Sequence, residues 1–256
     1  MGDYRTFKAR LRRGETLYGP FIHCNSAPLL EVLGQEGFDF VIVDMEHGAT
    51  DVATAQDLVR SANAAWMAAT VRVPGISAPD IVHALDMGAQ AVMVPQVSSA
   101  EAARVVVEAA RFAPLGMRGV DPYARSAGYG YVRGTDYFER ANQDTLLIVQ
   151  VEGAKGVERL DEICSVPGID CVFIGPYDLS QSLGVTGDVT HPKVVEKVQQ
   201  VVKDVAAAGL VVGIFADDAE KASMWADAGV RYVSVSMDVA IFRAGARALR
   251  DALGNE

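Results

Sequence analysis

The sequence predicts an α/β fold, a (β/α)8 TIM barrel. Three observations carry that expectation. Short β-branched runs recur, and eight of them can be counted. They alternate with amphipathic, alanine-rich stretches. And eight such units suit a chain of 256 residues, the ordinary size of this barrel. Strands this apolar are buried on both faces, the habit of parallel sheets, and strand–helix alternation implies βαβ units. A doubly wound open sheet is the structural alternative; the count of eight favours closure.

The elements follow in order. The first strand is TLYGPFI (16–22), after a charged start, MGDYRTFKARLRRGE. The second, FVIVD (40–44), is apolar until it stops at Asp44, with Glu46 and His47 close behind. The helical pattern DVATAQDLVRSANAA leads to ATVRV (69–73), which carries Arg72. AVMVP (91–95) is the fourth strand and SAEAARVVVEAARF the helix after it. The rhythm then breaks. About fifty residues separate the fourth and fifth strands, and most of them, PLGMRGVDPYARSAGYGYVRGTDYFERANQ, are rich in Gly, Tyr and Arg. A loop of that length is expected to be functional or to form an interface. The rhythm resumes with TLLIVQV (145–151), CVFIG (171–175), LVVGIF (210–215), the helix AEKASMWADAG and YVSVS (232–236). The last helix, VAIFRAGARALRDAL, carries an apolar stripe that closes the barrel or packs on a neighbouring subunit. No linker or low-complexity tract interrupts the chain, so residues 1–256 read as a single barrel domain.

Bulk properties narrow the partners. The net charge is -10, which argues against nucleic acid and anionic membranes, since both need a basic footprint. It leaves room for an anionic small molecule, because one arginine or metal reverses the field inside a pocket. No apolar run approaches the ~20 residues that span a bilayer, and the N-terminus lacks the apolar core of a signal peptide. A cytoplasmic protein is the expectation. The cysteines, Cys24, Cys164 and Cys171, have neither metal spacing nor a disulfide framework and read as core or near-core residues.

In such a barrel, chemistry sits where the strands end. Asp44, Glu46 and His47 stand there on the second strand and Arg72 on the third. Gln150 and Glu152 stand there on the fifth, and Gly175, Pro176, Tyr177 and Asp178 on the sixth. Each has a plainer reading. His47 can be a cap or core histidine, Gln150 a core amide, and Glu152 and Asp178 helix N-caps. Arg72 lies in an apolar strand and must meet a carboxylate, structural or substrate-borne. Two carboxylates on adjacent strand ends suit a hard divalent cation, which keeps open positions for water or substrate oxygens.

The segments GFDFVIVDMEHG, TVRVPG, GAQAVMVPQVSSAEAARVVVEAARFAPLGMRGV, QVEGAKGVERLDEI, PGIDCVFIGPYDLSQSLG and AGVRYVSVSMD resemble, in this order and over nearly the whole chain, the class II pyruvate aldolases of the HpcH/HpaI type. Those include hydroxy-ketoheptanedioate and ketodeoxy-sugar-acid aldolases. The resemblance implies metal-dependent, reversible cleavage of a 4-hydroxy-2-oxo acid to pyruvate and an aldehyde, through a metal-stabilised enolate. It implies Asp44 and His47 as an oriented base, Arg72 as an enolate partner, Gln150 beside the metal, and Glu152 and Asp178 as ligands of Mg2+, Mn2+ or Co2+. The helix start at Gly175, Pro176 and Tyr177 would hold the pyruvate carboxylate. The resemblance also implies a homo-hexamer, a trimer of dimers, with the terminal helix exchanged between partners. Two places depart from the family: the loop Ala124 to Gly130, whose Arg125 is expected at the substrate, and the first strand end, Phe21-Ile22-His23-Cys24, where small polar residues are expected. Both bear on the aldehyde partner. A Schiff-base route would need a strand-end lysine; Lys155 sits within the next helical pattern. The rival readings are a CoA-thioester lyase of the citrate or malate type, which calls for a basic groove, and a barrel without catalysis.

Overall fold

The computed structural model describes residues 3–132 and 134–254. Among them, eight parallel strands close into a barrel in sequence order, the last hydrogen-bonded to the first. They are β1 (Leu17–Ile22), β2 (Phe40–Asp44), β3 (Ala68–Arg72), β4 (Ala91–Val94), β5 (Leu146–Val151), β6 (Cys171–Ile174), β7 (Val211–Ala216) and β8 (Tyr232–Met237). The sequence places each to within a residue at either end, and closure excludes the open sheet. Arg133, within the Gly/Tyr/Arg-rich segment, lies outside the described residues, as do Met1, Gly2, Asn255 and Glu256.

Strand alternation divides the core in two. Val41, Val43, Ala69, Val71, Leu147 and Val149 point outward and pack under the surrounding helices. Phe40, Ile42, Ala68, Leu146, Ile148, Cys171, Phe173 and Tyr232 fill the barrel itself. The same parity carries on to the strand ends. Asp44 follows Ile42 by two residues, Arg72 follows Ala68 by four, and Gln150 follows Ile148 by two. The polar side chains therefore inherit the inward direction of the apolar ones below them.

The floor is sealed by aromatic rings. Phe40 stacks on Tyr232 at 4.2 Å between centroids, and Phe7, from the N-terminal helix Phe7–Arg12, closes on both. Gly19 makes room for this, since a Cβ there would lie 1.9 Å from the Phe40 carbonyl oxygen. Beside the plug, buried Asp170 gathers Lys8 at 2.8 Å, Arg12 at 3.1 Å and Arg111. Burial pushes the Lys8 ammonium down to about 8 against the pull of Asp170.

The long segment after β4 holds more structure than its composition suggests. After the helix Ala100–Ala110 come a 3-10 stretch, Arg125–Gly130, and a helix, Thr135–Asp144. That helix, like the 3-10 stretch, is an element the sequence reading takes for loop. It has few apolar positions, and Gly134 opens it with φ 102° and no side-chain cap. Tertiary contacts hold it instead: Tyr137 and Phe138 pack on Phe112, while Asn142 bonds both the backbone N–H and C=O of Phe112 at 2.9 Å.

The last helix, Asp238–Ala252, buries only Asp238. No helix among the described residues is long and apolar enough to cross a membrane.

Candidate active site

The strand ends surround a cavity of about 530 Å³. Its wall includes seven of the residues singled out from sequence: His47, Arg72, Gln150, Gly175, Pro176, Tyr177 and Asp178. It also includes His23, Phe21, Phe215, Asp217, Ser236 and, from the last helix, Arg243.

Asp44 lies beneath this wall, fully buried. The register pairs it with Arg72 across β2 and β3, and the two form a bidentate pair: Arg72 Nε donates to Oδ1 at 2.8 Å and Nη2 to Oδ2 at 2.7 Å. Arg72 also reaches Glu46 Oε2 at 3.2 Å and lies over the Phe21 ring, 4.6 Å from its centroid. Burial opposes charge on Asp44, but Arg72's hydrogen bonds and charge, helped by His23 and the Glu46 N–H, outweigh it and hold the carboxyl below its usual range. So the carboxylate that a buried arginine requires is structural and comes from the neighbouring strand.

The expected Asp44–His47 pair is corrected here. Asp44 receives a histidine, but it is His23: Nε2 stands 2.7 Å from Asp44 Oδ2. His47 offers Asp44 only its backbone N–H, at 3.4 Å. Its ring is 66% exposed, with the closest carboxylate oxygen, Glu46 Oε2, 3.9 Å from Nε2. The cause is local. Arg72 and His23 already occupy the Asp44 oxygens, and His47 stands three residues on, in an open turn. His23 is in turn fixed through its backbone: the Asp238 carboxylate accepts from the N–H groups of His23 and Cys24, tying the end of β1 to the end of β8. Sequence reading marks His23 as a departure at the end of the first strand without giving it a role; the usable signal is that it follows an inward Phe21 by two residues.

On the other side of the mouth, Glu152 accepts from Gln150 Nε2 and from the backbone N–H of Gln96 at 3.0 Å. Gln96 takes a left-handed φ of 59° to aim that N–H, a strained conformation of the kind that clusters at sites. Burial first, then the charges of Asp178 and Glu46, push the Glu152 carboxyl up to about 7. Neither acid is an N-cap: the caps of the helices Ala154–Glu158 and Pro176–Ser182 are Gly153 and Gly175, and neither makes a side-chain cap bond. Gly175 leaves a hollow, since a Cβ there would lie 2.9 Å from Glu152 Cβ and 3.3 Å from Gln150 Nε2.

A hard divalent cation fits this set. Glu152, pushed toward its protonated form first by burial and then by the charges of Asp178 and Glu46, lacks a positive partner. Among the described residues, the buried oxygen Gln150 Oε1 has no hydrogen-bond partner. Among the described residues no group of three or more His, Cys, Asp or Glu is placed to hold a metal, so a cation here would rest on two carboxylates and complete its shell with other oxygens.

Tyr177 donates to Asp217 at 2.6 Å, and that bond, with burial, pushes its phenol up to about 12. Arg125 is the residue the structure puts elsewhere. Its guanidinium donates to Met87 O at 2.9 Å and Asn63 Oδ1 at 3.2 Å, at the turn that precedes β4. That is the end where strands begin, opposite the cavity; the 3-10 stretch folds back onto the Met87 carbonyl, just past the helix Ala78–Asp86, and onto Asn63 of the helix Val52–Ala64. Lys155 is exposed on its helix and does not line the cavity.

Comparison with known proteins agrees with this layout. The chain is 39% identical over 238 residues to a hydroxypyruvate/pyruvate aldolase of Roseobacter denitrificans, covering 92% of each. It is 38% identical over 245 residues to a 2-keto-3-deoxy-L-rhamnonate aldolase of Klebsiella pneumoniae, covering 92% of this chain and 88% of the relative. A crystal structure of an HpcH/HpaI aldolase/citrate lyase family protein from Burkholderia cenocepacia superposes with a TM-score of 0.91 at 37% identity, covering 98% of this chain and all of that one. The family profile described as HpcH/HpaI aldolase/citrate lyase matches residues 17–244, from the first strand into the last helix, and the chain belongs to that family.

Proposed function

We propose that this protein is a carbon–carbon lyase, a class II pyruvate aldolase that cleaves a 4-hydroxy-2-oxo acid reversibly to pyruvate and an aldehyde. The observation that carries the reading is the pairing, across one mouth, of a charge-starved carboxylate pair, Glu152 and Asp178, with a fixed guanidinium, Arg72. A 2-oxo acid is the ligand whose oxygens suit both. Relatives at 38–39% identity bear aldolase names.

Glu152 and Asp178 would hold a divalent cation, Mg2+, Mn2+ or Co2+, which when bound supplies Lewis-acid polarisation of the 2-oxo group. Arg72, locked by Asp44, aims a fixed positive charge at the oxygen where negative charge develops as C3–C4 breaks. The N–H groups at the start of the helix Pro176–Ser182, reached through Gly175 and Pro176 and flanked by Tyr177, bind the pyruvate carboxylate. Gln150, with its free Oε1, orients a water or substrate oxygen. An imidazole on the outer wall, His47, takes the 4-hydroxyl proton; its exposed position suits the aldehyde end of the substrate.

The test is exchange of the pyruvate methyl protons in D2O. Exchange that EDTA abolishes and Mg2+ or Mn2+ restores is the expected result. No exchange with any metal would overturn the reading and favour the thioester lyase. Borohydride reduction with pyruvate should trap no lysine adduct, Lys155 included.

The assembly belongs to the same proposal: a homo-hexamer, a trimer of dimers, in which single-domain subunits exchange the last helix. What supports it is that helix itself, where Phe242, Leu249 and Leu253 are 69%, 72% and 81% exposed.

A further inference from the structure

Two proton tasks attend an aldol cleavage that releases pyruvate. One proton leaves the 4-hydroxyl, and one must arrive at C3 of the enolate. The cavity has two imidazoles, and they stand in different surroundings. His47 is 66% exposed on a turn, while His23 has 25% of its side chain exposed and is locked to a fully buried carboxylate.

We propose that His23 is the group that delivers the proton to C3 of the pyruvate enolate and removes it in the reverse direction. The inference rests on the aldolase reading above. Asp44 Oδ2 receives both His23 Nε2 and Arg72 Nη2, each at 2.7 Å, so imidazole and guanidinium stand side by side. Both side chains line the cavity, so an oxygen bound there by Arg72 would stand beside the His23 ring. In an enolate the carbon that must be protonated is separated from that oxygen by one carbon atom. Asp44 is held in its charged, accepting form, so Nε2 of His23 carries the hydrogen and Nδ1 is left to exchange a proton with substrate. Among the described residues Nδ1 makes no hydrogen bond. Carboxylate, imidazole and a ring edge on the cavity form the arrangement of an oriented acid–base group. The backbone clamp from Asp238 on His23 and Cys24 keeps that edge in place.

The step balances without a further reagent. The hydroxyl proton leaves to His47 as C4=O forms, and the C3–C4 electron pair passes to pyruvate as its enolate. His23 then gives C3 a proton, and the two imidazoles return to their starting states through solvent.

The experiment separates carbon–carbon cleavage from protonation, using metal-replete protein. His23→Gln keeps an N–H for Asp44 but carries no exchangeable ring proton. Two rates are measured: exchange of pyruvate methyl protons in D2O, and exchange of 13C-glycolaldehyde into 4,5-dihydroxy-2-oxopentanoate, its adduct with pyruvate. The second needs the enolate to form and recombine but never to be protonated. The expected result for His23→Gln is a loss of about 10²-fold or more in methyl exchange and pyruvate release, with aldehyde exchange retained within a few-fold. His23→Ala should behave alike and regain methyl exchange with added imidazole. His47→Gln should show the reverse split. Equal losses in both rates for His23→Gln, without rescue of the alanine variant, would assign His23 a structural role; unchanged rates would remove it from the reaction. Either overturns the proposal. Failure of the wild-type protein to exchange methyl protons would instead overturn the aldolase reading beneath it.

Discussion

Glu152 shows how much of the site's behaviour one side chain holds. In metal-free protein, burial and the nearby Asp178 and Glu46 let it keep its proton to about pH 7, whereas an unfolded chain releases it near the ordinary ~4.3. Between those values the folded state binds the extra proton. Its contribution to stability is therefore fully present below the unfolded value and lost as pH rises through about 7. Metal-free protein should lose Tm from pH 5 to pH 7.5, and Glu152→Gln should flatten that slope; an equal slope in both would mean the proton sits elsewhere. A cation displaces the same proton, so affinity should climb across the window. Calorimetry at pH 6, in buffers of different ionisation enthalpy, should read about one proton released per cation. Asp44 is the opposite case, a carboxylate kept charged by its partners. Asp44→Asn leaves the Arg72 guanidinium buried with Glu46 alone to answer it, and urea unfolding should show a loss of about 3 kcal/mol, the scale for breaking a buried pair. A loss below about 1 kcal/mol would mean Glu46 compensates fully.

At the scale of elements, the site is a consequence of strand ends passing directly into turns and helices. The step from β6 into the helix Pro176–Ser182 is the sharpest example, because Gly175 lets Gln150 of β5 and Glu152, just past it, lean across. Gly175→Ala would bring a Cβ to 2.9 Å from Glu152 Cβ and 3.0 Å from its Oε2, so the carboxylate must move. Metal-dependent methyl exchange should drop at least tenfold while the unfolding midpoint shifts little; retained exchange would show that Glu152 has room to adapt. This scale also explains what could be read in advance. The strands were legible because a barrel strand is apolar on both faces, and a run such as FVIVD has no competing period. That Asp44, Arg72 and Gln150 stand at strand ends was legible too; their inward direction needed the structure, which shows which alternate positions fill the barrel. The helix Thr135–Asp144 was not legible, because its stability comes from Phe112 and Asn142 rather than from its own pattern. Nor was the partner of Asp44, because the choice between His23 and His47 depends on how two strands meet in space. The place of Arg125 depended on which end of the barrel its loop folds toward.

At the scale of the molecule, the last helix poses the remaining problem. Asp238, its first residue, is buried and clamps the β1 end through His23 and Cys24, with its carboxylate also accepting from the Val239 N–H. Beyond that anchor, every residue from Ile241 to Arg250 is exposed, yet apolar side chains recur at Ile241, Phe242, Leu249 and Leu253. An amphipathic helix without a covered face is a helix awaiting a surface. The proposed exchange would supply one, and because the helix begins at the cavity wall, with Arg243 lining the cavity, assembly and active site would then share an element. Phe242→Asp together with Leu249→Asp should therefore reduce the sedimenting species from hexamer toward monomer, while far-UV circular dichroism keeps the barrel's signal. Methyl exchange of pyruvate, which uses groups at the ends of β1, β2, β3, β5 and β6, should persist in the dissociated protein if each barrel holds a whole pyruvate site. Loss of exchange on dissociation would show that the site needs the neighbouring subunit. An unchanged sedimentation coefficient would remove the last helix from the interface.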